Sequence, residues 1–245
     1  IAMTNTATAG RIEISAKRKS KKINAEIRDP YDGLRFYSAL THGVGAALSV
    51  VCTAWLIVSA AIYGASAWHI VTFAVFGASM TALYLASCLY HCVNTSVSGR
   101  LALRKMDHSM IFVLIAGTYT PICLVVLRGP WGWSMFGVIW ALAIAGILTT
   151  LFWLNKPRIL TTALYIGMGW MALIAFVPLL RVMPAAGMAW MLTGGALYTV
   201  GGVMYGLKWP LKNAEKFGCH EVFHVFIMLG SVCFAMLMAN VVMYM

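Results

Sequence analysis

Two histidines near the end of the chain, His220 and His224, stand four residues apart in the stretch CHEVFH. Residues at positions i and i+4 share one face of a helix, so both imidazoles can bind the same metal ion. The intervening Glu221 completes an H-E-x-x-H pattern, which in soluble zinc proteases supplies two zinc ligands and a glutamate general base. No histidine follows in VFIMLGSVCF, so the longer protease pattern is absent. Glu221 is therefore a base, a cytoplasm-facing residue or a structural residue.

A zinc site of this kind needs a third ligand, and His91 in the stretch SCLYH is the best candidate. Three neutral imidazoles, from His91, His220 and His224, would leave Zn²⁺ its full charge and one open coordination position. Water in that position has its pKa lowered to about 7, as in catalytic zinc sites. The alternative is that these histidines only form hydrogen bonds between neighbouring helices.

Two further residues could act on such a water molecule. Asp107, which follows the loop after His91, could accept a proton from it. Ser87 lies one helical turn before His91 on the same face and could donate a hydrogen bond to the hydroxide or to the developing oxyanion. Each has a simpler interpretation, because a serine often packs between helices and Asp107 could pair with Arg104 or with a helix N-terminus.

The elements that position these residues are predicted to be membrane-spanning helices. A chain with 61% hydrophobic and only 10% charged residues is not an ordinary water-soluble domain. Its apolar residues form continuous runs of about 20 residues or more, enough to cross a bilayer as helix and unlike the short alternating strands of a barrel. We therefore predict an all-α, polytopic membrane protein with seven transmembrane helices. The predicted spans are 38–64, 69–93, 107–127, 131–154, 159–180, 185–207 and 217–245.

The basic residues predict the orientation of these spans. All of the 18 lysines and arginines except Arg128 and Arg181 fall before the first span or in the loops after the second, fourth and sixth. Because Lys and Arg stay on the cytoplasmic side, the N-terminus is expected inside and the C-terminus outside. The formal charge of +11 is explained by this topology and by lipid contact, and no nucleic-acid-binding module is recognisable.

The ionisable residues within the spans gather at one depth. Such groups are costly in hydrocarbon and mark a cavity, a partner or a metal. The orientation is predicted from Lys and Arg alone, so the gathering of His, Asp and Glu at one depth does not follow from that prediction and is a separate observation. Of the six histidines, only His69 is expected at the outer end of a span. We interpret His42 as a polar contact between helices or a cavity residue, and His108 as structural. The residues at the inner ends of the spans are His42, His91, Asp107, His108, His220, Glu221 and His224.

The chain is expected to divide into two parts. Residues 1–36 read as a basic, mostly flexible cytoplasmic tail, and residues 37–245 as the seven-helix transmembrane domain. The six cysteines fall in or beside the spans, where they are expected to pack rather than to form a disulfide framework. The glycines of the sixth span include Gly202 and Gly206 at G-x-x-x-G spacing, which predicts a close helix contact.

Four motifs together resemble the hemolysin III branch of the progestin and adipoQ receptor family, which includes the adiponectin receptors. They are THGVG, SCLYH, MDHSMIFVLIAGTYTP and HEVFHVFIMLGS, and the resemblance runs from about Leu40 to the end. It implies seven helices with the N-terminus inside and one zinc near the cytoplasmic side. It implies that Glu221 is incidental to the motif. One departure is Phe234, where bacterial members often carry histidine; the stretch DGLRFYSAL is also less acidic than is usual. The residues implied for the zinc and its surroundings are His91, His220 and His224 as ligands, with Ser87 and Asp107 beside the metal or its water.

The resemblance suggests three kinds of function. The first is an intramembrane, zinc-dependent hydrolase of a lipid amide or ester, similar to the ceramidase-like activity attributed to adiponectin receptors, with Asp107 transferring protons. The second is a non-catalytic sensor or regulator of membrane composition that holds a structural zinc. The third, a cytolysin, rests on the family's name and ranks last, because no polar stripe lines a channel. Membrane lipids, including a lipid substrate or bound fatty acid, are the expected partners, and the bacterial cytoplasmic membrane is the expected location.

Overall fold

The computed structural model describes residues 34–153, 156–211 and 217–245. Most of the predicted basic tail, residues 1–33, therefore lies outside the described residues. Throughout the described ranges the regular secondary structure is helical, which agrees with the predicted all-α class. The helices are α1 (Phe36–Ile62), α2 (Ala67–Cys92), α3 (Val97–Pro121, continued by a π-helical turn Ile122–Val126), α4 (Pro130–Phe152), α5 (Arg158–Gly169, followed by a 3₁₀ turn Trp170–Leu173), α6 (Phe176–Val182), α7 (Ala185–Leu207) and α8 (Cys219–Asn240, followed by a 3₁₀ turn Val242–Tyr244).

Several of these helices are long and apolar enough to cross a membrane. Five qualify individually, namely α1, α2, α3 with its π-helical turn, α4, and α8 with its 3₁₀ turn, and α5 with α6 would make a sixth as one bent span. The protein is thus a multi-pass membrane protein. Helix α7 has 23 residues, of which six are glycine, and is not among the helices that qualify. The predicted number of seven spans remains a prediction.

Helix α3 begins ten residues before the predicted third span. Its N-terminus is at Val97, where the Ser96 hydroxyl accepts a hydrogen bond from the backbone N–H of Gly99 and so caps the helix. Asp107 therefore lies in the helix interior, whereas the sequence analysis considered it near a helix N-terminus. The interpretation of Asp107 as a partner of the helix dipole is wrong, since that effect is confined to the first turn.

The predicted fifth span is not one continuous helix. Helices α5 and α6 form an angle of 51° across a short break. The Tyr119 hydroxyl of α3 donates a hydrogen bond to the backbone oxygen of Gly169 at 2.5 Å and accepts one from the backbone N–H of Ala172 at 2.8 Å. Backbone groups released by a helix break are costly in a membrane unless another group pairs with them. Tyr119 supplies that pairing from the neighbouring helix.

Glycines bring α7 close to its two neighbours. A β-carbon at Gly194 would lie 2.8 Å from the Phe234 ring of α8, so only glycine fits there without displacement. On another side of α7, β-carbons at Gly202 and Gly206 would lie 3.5 Å from Ile166 and 3.3 Å from Thr162 of α5. The close contact predicted from the G-x-x-x-G spacing is confirmed.

Candidate metal centre

Three histidines from two helices meet at one end of the bundle. His91 lies in the last turn of α2, and His220 and His224 lie in the first two turns of α8. Their side chains are 1%, 3% and 2% exposed, respectively. One ligand nitrogen from each can be chosen so that all three lie within 4.8 Å of one another. The structure thus brings together residues that are 129 positions apart in the sequence.

The geometry of this cluster fits a tetrahedral metal ion. The Nε2 atoms of His91 and His220 are 3.0 Å apart, and the ring centroids of His220 and His224 are 4.5 Å apart. Zinc–nitrogen bonds of about 2.0–2.1 Å place two tetrahedral ligand atoms about 3.3 Å apart, close to the spacing of the first pair. Three buried imidazoles form a donor set that can hold a metal, and the set is consistent with zinc.

The tautomer of His224 is fixed by Thr41 of α1. The Thr41 hydroxyl donates its proton to the backbone oxygen of Tyr37 at 2.9 Å, with the oxygen of Ser38 also within reach at 3.1 Å. With that proton donated to the backbone, the Thr41 oxygen accepts a hydrogen bond from Nδ1 of His224, 3.3 Å away. A proton on Nδ1 leaves the Nε2 lone pair of His224 available to a metal.

Sequence reasoning did not identify Thr41. The only available signal was its position in the THGVG motif, immediately before His42.

His42 lies against the cluster without belonging to it. Its ring stacks on that of His224 with centroids 3.5 Å apart and planes at 9°, and it meets the Tyr84 ring edge-on at 5.1 Å. Neither ring nitrogen of His42 has a hydrogen-bond partner among the described residues. The predicted polar contact between helices is thus a ring stack, and His42 also lines the cavity described below.

Ser87 and Asp107 lie on the same cavity as His220 and His224. Both side chains are buried, at 1% and 6% exposure. His108 also lines this cavity, and its backbone oxygen accepts a hydrogen bond from the Tyr165 hydroxyl at 3.0 Å. The serine and the aspartate singled out in the sequence therefore face the space beside the histidine cluster.

Glu221 is occupied by structural contacts. Its carboxylate is fully buried and forms an ion pair with Arg35, with Nε to Oε1 at 2.6 Å and Nη2 to Oε2 at 2.8 Å. It also accepts hydrogen bonds from the Ser38 hydroxyl at 2.6 Å and from the backbone N–H of Gly218 at 2.8 Å. Of the roles considered for Glu221, these contacts support the structural one. The carboxylate caps α8 and ties it to α1.

The same arginine also reaches the third histidine. The backbone N–H of Arg35 donates a hydrogen bond to the backbone oxygen of His91 at 3.0 Å. One residue at the start of α1 thus contacts the end of α2 and the start of α8, the two helices that carry the histidines. We refer to the contacts of Arg35 with Glu221 and His91 as the Arg35 clasp.

An apolar cavity of about 170 Å³ leads away from the cluster. At one end it is bordered by His42, Ser87, Asp107, His220 and His224, and at the other by Leu127, Met135 and Leu179 near the opposite ends of their helices. Between these ends most of its surface is apolar, with threonine and tyrosine side chains of α3, α5 and α7 among the lining residues. A largely apolar, concave space with a few polar groups is typical of a small-molecule binding site.

Fold and site together define a class of protein, a helical multi-pass membrane protein with a buried three-histidine centre at one end of an apolar cavity. The model of the family described as "Haemolysin-III related" matches residues 36–235. "Hemolysin-3" of Bacillus cereus is 38% identical over 194 residues, 79% of this chain and 85% of the relative. "Hemolysin-3 homolog" of Bacillus subtilis (strain 168) is 41% identical over 195 residues, 79% of this chain and 87% of the relative. The chain belongs to the haemolysin III-related family, a branch of the progestin and adipoQ receptor family.

Proposed function

We propose that the protein is a zinc-dependent hydrolase that cleaves an amide or ester bond of a membrane lipid and acts in membrane lipid homeostasis. The observation that carries this proposal is the single cavity that joins three features. These are a three-histidine centre, a buried serine and aspartate beside it, and a largely apolar space that reaches Leu127 and Leu179. Each feature alone has a structural explanation, whereas their combination is typical of a reaction site.

His91, His220 and His224 would hold the zinc ion, which when bound supplies Lewis-acid polarisation and lowers the pKa of water. Asp107 would accept the proton of the attacking water as the new carbon–oxygen bond forms. It would then return this proton to the leaving amine or alcohol as the scissile bond breaks. Ser87 would donate a hydrogen bond to the carbonyl oxygen as negative charge develops on it.

Membrane lipids are the partners that this site fits. A lipid chain lying in the cavity would place its carbonyl group beside the histidines, and the released fatty acid could remain in the same apolar space. Because Asp107 is the only Asp, Glu, Lys or Arg among the described residues that line the cavity, the chain would be bound by burial of hydrocarbon rather than by charge.

The topology that completes the proposal has seven spans, with α7 as the sixth in chain order and the bent pair α5 and α6 as the fifth. A 23-residue helix is about 34 Å long, enough to cross a bilayer core of about 30 Å. The distribution of Lys and Arg supports a cytoplasmic N-terminus in the bacterial inner membrane. The histidine centre then lies near the cytoplasmic face.

The test is hydrolysis by the purified, zinc-loaded protein in lipid bilayers. Wild-type protein should release fatty acid from at least one member of a panel of ceramides, other lipid amides and lipid esters. Asp107→Asn should abolish release while one zinc ion per chain is retained. Ser87→Ala should reduce release by about 10²-fold, the loss of one oxyanion donor. Wild-type release that persists in Asp107→Asn would contradict the role of Asp107, and no release from any lipid would contradict the hydrolase.

A second candidate function is a sensor or regulator of membrane composition with a structural zinc. The observation that favours it is that the histidines join α2 to α8 where the Arg35 clasp already holds both helices, so a metal would lock this end of the bundle. In that case zinc should raise the unfolding temperature while no lipid is cleaved. The names of the two Bacillus relatives suggest a third candidate function, a cytolysin. A cytolysin should release dye from liposomes with or without zinc.

A further inference from the structure

Three hydroxyl groups from three helices meet away from the histidine centre. The Tyr84 hydroxyl of α2 donates a hydrogen bond to the Ser231 hydroxyl of α8 at 2.6 Å. The Tyr198 hydroxyl of α7 is 2.8 Å from the same Ser231 oxygen, and either group can be the donor. We call Tyr84, Tyr198 and Ser231 the hydroxyl cluster. The proposed reaction uses none of these residues.

The hydroxyl cluster has one proton more than it can use internally. Three hydroxyl groups carry three protons, and the two hydrogen bonds between them consume two. The Tyr84 hydroxyl donates its hydrogen bond to Ser231. The remaining proton is that of Ser231 if Tyr198 donates to Ser231, and that of Tyr198 if Ser231 donates to Tyr198. No other acceptor for it is found among the described residues. A buried hydroxyl proton without an acceptor is costly, so a group that accepts it from the cavity would be bound favourably.

Tyr198 is the member of the hydroxyl cluster that lines the cavity. Its ring packs so closely on Gly230 that a β-carbon there would lie 2.4 Å from the ring, and it stacks on Phe234, which also lines the cavity, at 5.5 Å with planes at 28°. Other hydroxyl-bearing residues, such as Thr162 and Tyr119, line the cavity as well. The ring of Tyr198 is therefore held in place by its neighbours, and with it the hydroxyl group that it carries.

Sequence spacing sets the distance between this donor and the histidine centre. Tyr84 lies seven residues from His91 on α2, and Ser231 lies seven residues from His224 on α8. Seven residues of helix correspond to about 10 Å along the axis, and both helices give the same offset. An extended peptide spans about 3.5 Å per residue, which has three backbone bonds, so an extended chain of single bonds advances roughly 1.2 Å per bond. A distance of about 10 Å therefore corresponds to about nine bonds of an extended acyl chain.

We propose that the hydroxyl cluster is a second binding site within the cavity, which donates a hydrogen bond to an oxygen in the middle of a lipid chain. The ligand class is an acyl chain that carries a hydroxyl or keto oxygen about nine bonds from its carboxyl carbon. This inference rests on the proposed function, because the distance assumes that the carbonyl end of the chain lies at the histidines.

The test is competitive binding of fatty acids to the zinc-loaded protein in nanodiscs. Octadecanoic acid is compared with its keto derivatives, in which the keto group lies near the carboxyl end, at the estimated position or near the methyl end. A keto oxygen only accepts hydrogen bonds, so it reports on a donor in the protein. The wild-type protein should bind the derivative with the group at the estimated position about five- to tenfold more tightly than the other two, the value of one hydrogen bond.

Tyr198→Phe should remove this preference while binding of unsubstituted octadecanoic acid stays within about twofold, because the phenyl ring keeps the stacking on Phe234. The matched control is Tyr119→Phe. Tyr119 also lines the cavity, but its hydroxyl donates to Gly169 and accepts from Ala172, so the preference should persist. Equal wild-type affinity for all three keto derivatives would overturn the proposal without any variant, as would a preference that survives in Tyr198→Phe.

Failure of this inference is distinguishable from failure of the proposed function. Binding of free fatty acids involves no bond cleavage, so a positional preference without any lipid hydrolysis would support the hydroxyl cluster and contradict the hydrolase. Hydrolysis without a positional preference would do the opposite.

Discussion

Buried histidines occur at both ends of the helix bundle, but their surroundings differ. At one end, His69 accepts a hydrogen bond at Nδ1 from the Ser66 hydroxyl at 2.9 Å and donates one from Nε2 to the backbone oxygen of Val242 at 3.1 Å. The carbonyl can only accept, so the proton of His69 is on Nε2. Both nitrogens are thus paired within the protein, and the residue fastens the end of the chain to the start of α2.

At the other end of the bundle the histidines face one another. His91 and His220 approach through their Nε2 atoms, and Nδ1 of His224 pairs with the Thr41 hydroxyl, whereas in His69 it is Nε2 that donates to a backbone oxygen. Burial alone therefore does not distinguish a structural histidine from a metal ligand. The distinction lies in which nitrogen the protein occupies and which it leaves directed at other imidazoles.

The largest effect is expected for removal of one histidine of the three-histidine cluster. His224→Ala leaves two imidazoles, too few to hold zinc beside an open position. The variant should lose its zinc, and with it the metal-induced stabilisation, about 4 kcal/mol when free zinc exceeds the dissociation constant a thousandfold. Metal analysis and thermal unfolding with and without zinc measure both. Retention of one zinc ion per chain would show that the cluster is not the metal site.

The Arg35 clasp should have the next largest effect. Glu221→Gln leaves the Arg35 guanidinium without its buried carboxylate partner and should destabilise the protein by about 3 kcal/mol. Thermal unfolding of Glu221→Gln, Arg35→Gln and the double variant forms a cycle that isolates the pair. If Glu221 were instead a catalytic base, Glu221→Gln would abolish hydrolysis with its unfolding temperature unchanged, contrary to expectation.

The residues changed in these two variants also show which parts of the site could be predicted from the sequence. The multi-pass helical class was predictable because each apolar run is long enough by itself to indicate a span. The meeting of His91 with His220 and His224 was predictable because i, i+4 spacing and a common depth restrict where the side chains can lie. The Glu221 pair was not predictable, since its partner Arg35 is 186 residues away and was counted only as a cytoplasmic charge. The same holds for Thr41, 183 residues from His224.

The bend between α5 and α6 was also beyond the sequence analysis. The apolar run from 159 to 180 is continuous, so hydrophobicity alone indicates an unbroken span. What stabilises the break is the Tyr119 hydroxyl of another helix, which pairs with backbone groups of Gly169 and Ala172. The tertiary pairing leaves no local pattern, but the segment itself contains a signal that the sequence analysis did not use. Pro178 has no N–H to donate to the carbonyl of Ile174, and its ring clashes with that carbonyl, which favours a break at this point.

A smaller effect is expected at Thr41, which fixes the tautomer of His224. Thr41→Val keeps the shape of the side chain but removes the oxygen that accepts the Nδ1 hydrogen bond. Zinc affinity should fall about tenfold, as is usual when the hydrogen-bond partner of a ligand histidine is lost. A competition titration with a zinc chelator measures the change, and Thr41→Ser, which retains the hydroxyl, should restore the affinity. Equal affinity in Thr41→Val would mean that the other contacts of His224, the stack on His42 and the hydrogen bond with the Ser38 backbone, are enough to orient it.

The smallest effect is expected at His69, where we predict a change in stability without a change in metal binding. His69→Phe keeps a ring at the position but leaves the Ser66 hydroxyl and the Val242 carbonyl without their partner. The cost should be about 1 kcal/mol, visible as a lower unfolding temperature. Zinc affinity should be the same as in the wild-type protein, because both nitrogens of His69 are already paired within the protein. A fall in zinc affinity would mean that the two ends of the bundle are coupled and that a fully paired histidine can still influence the metal centre.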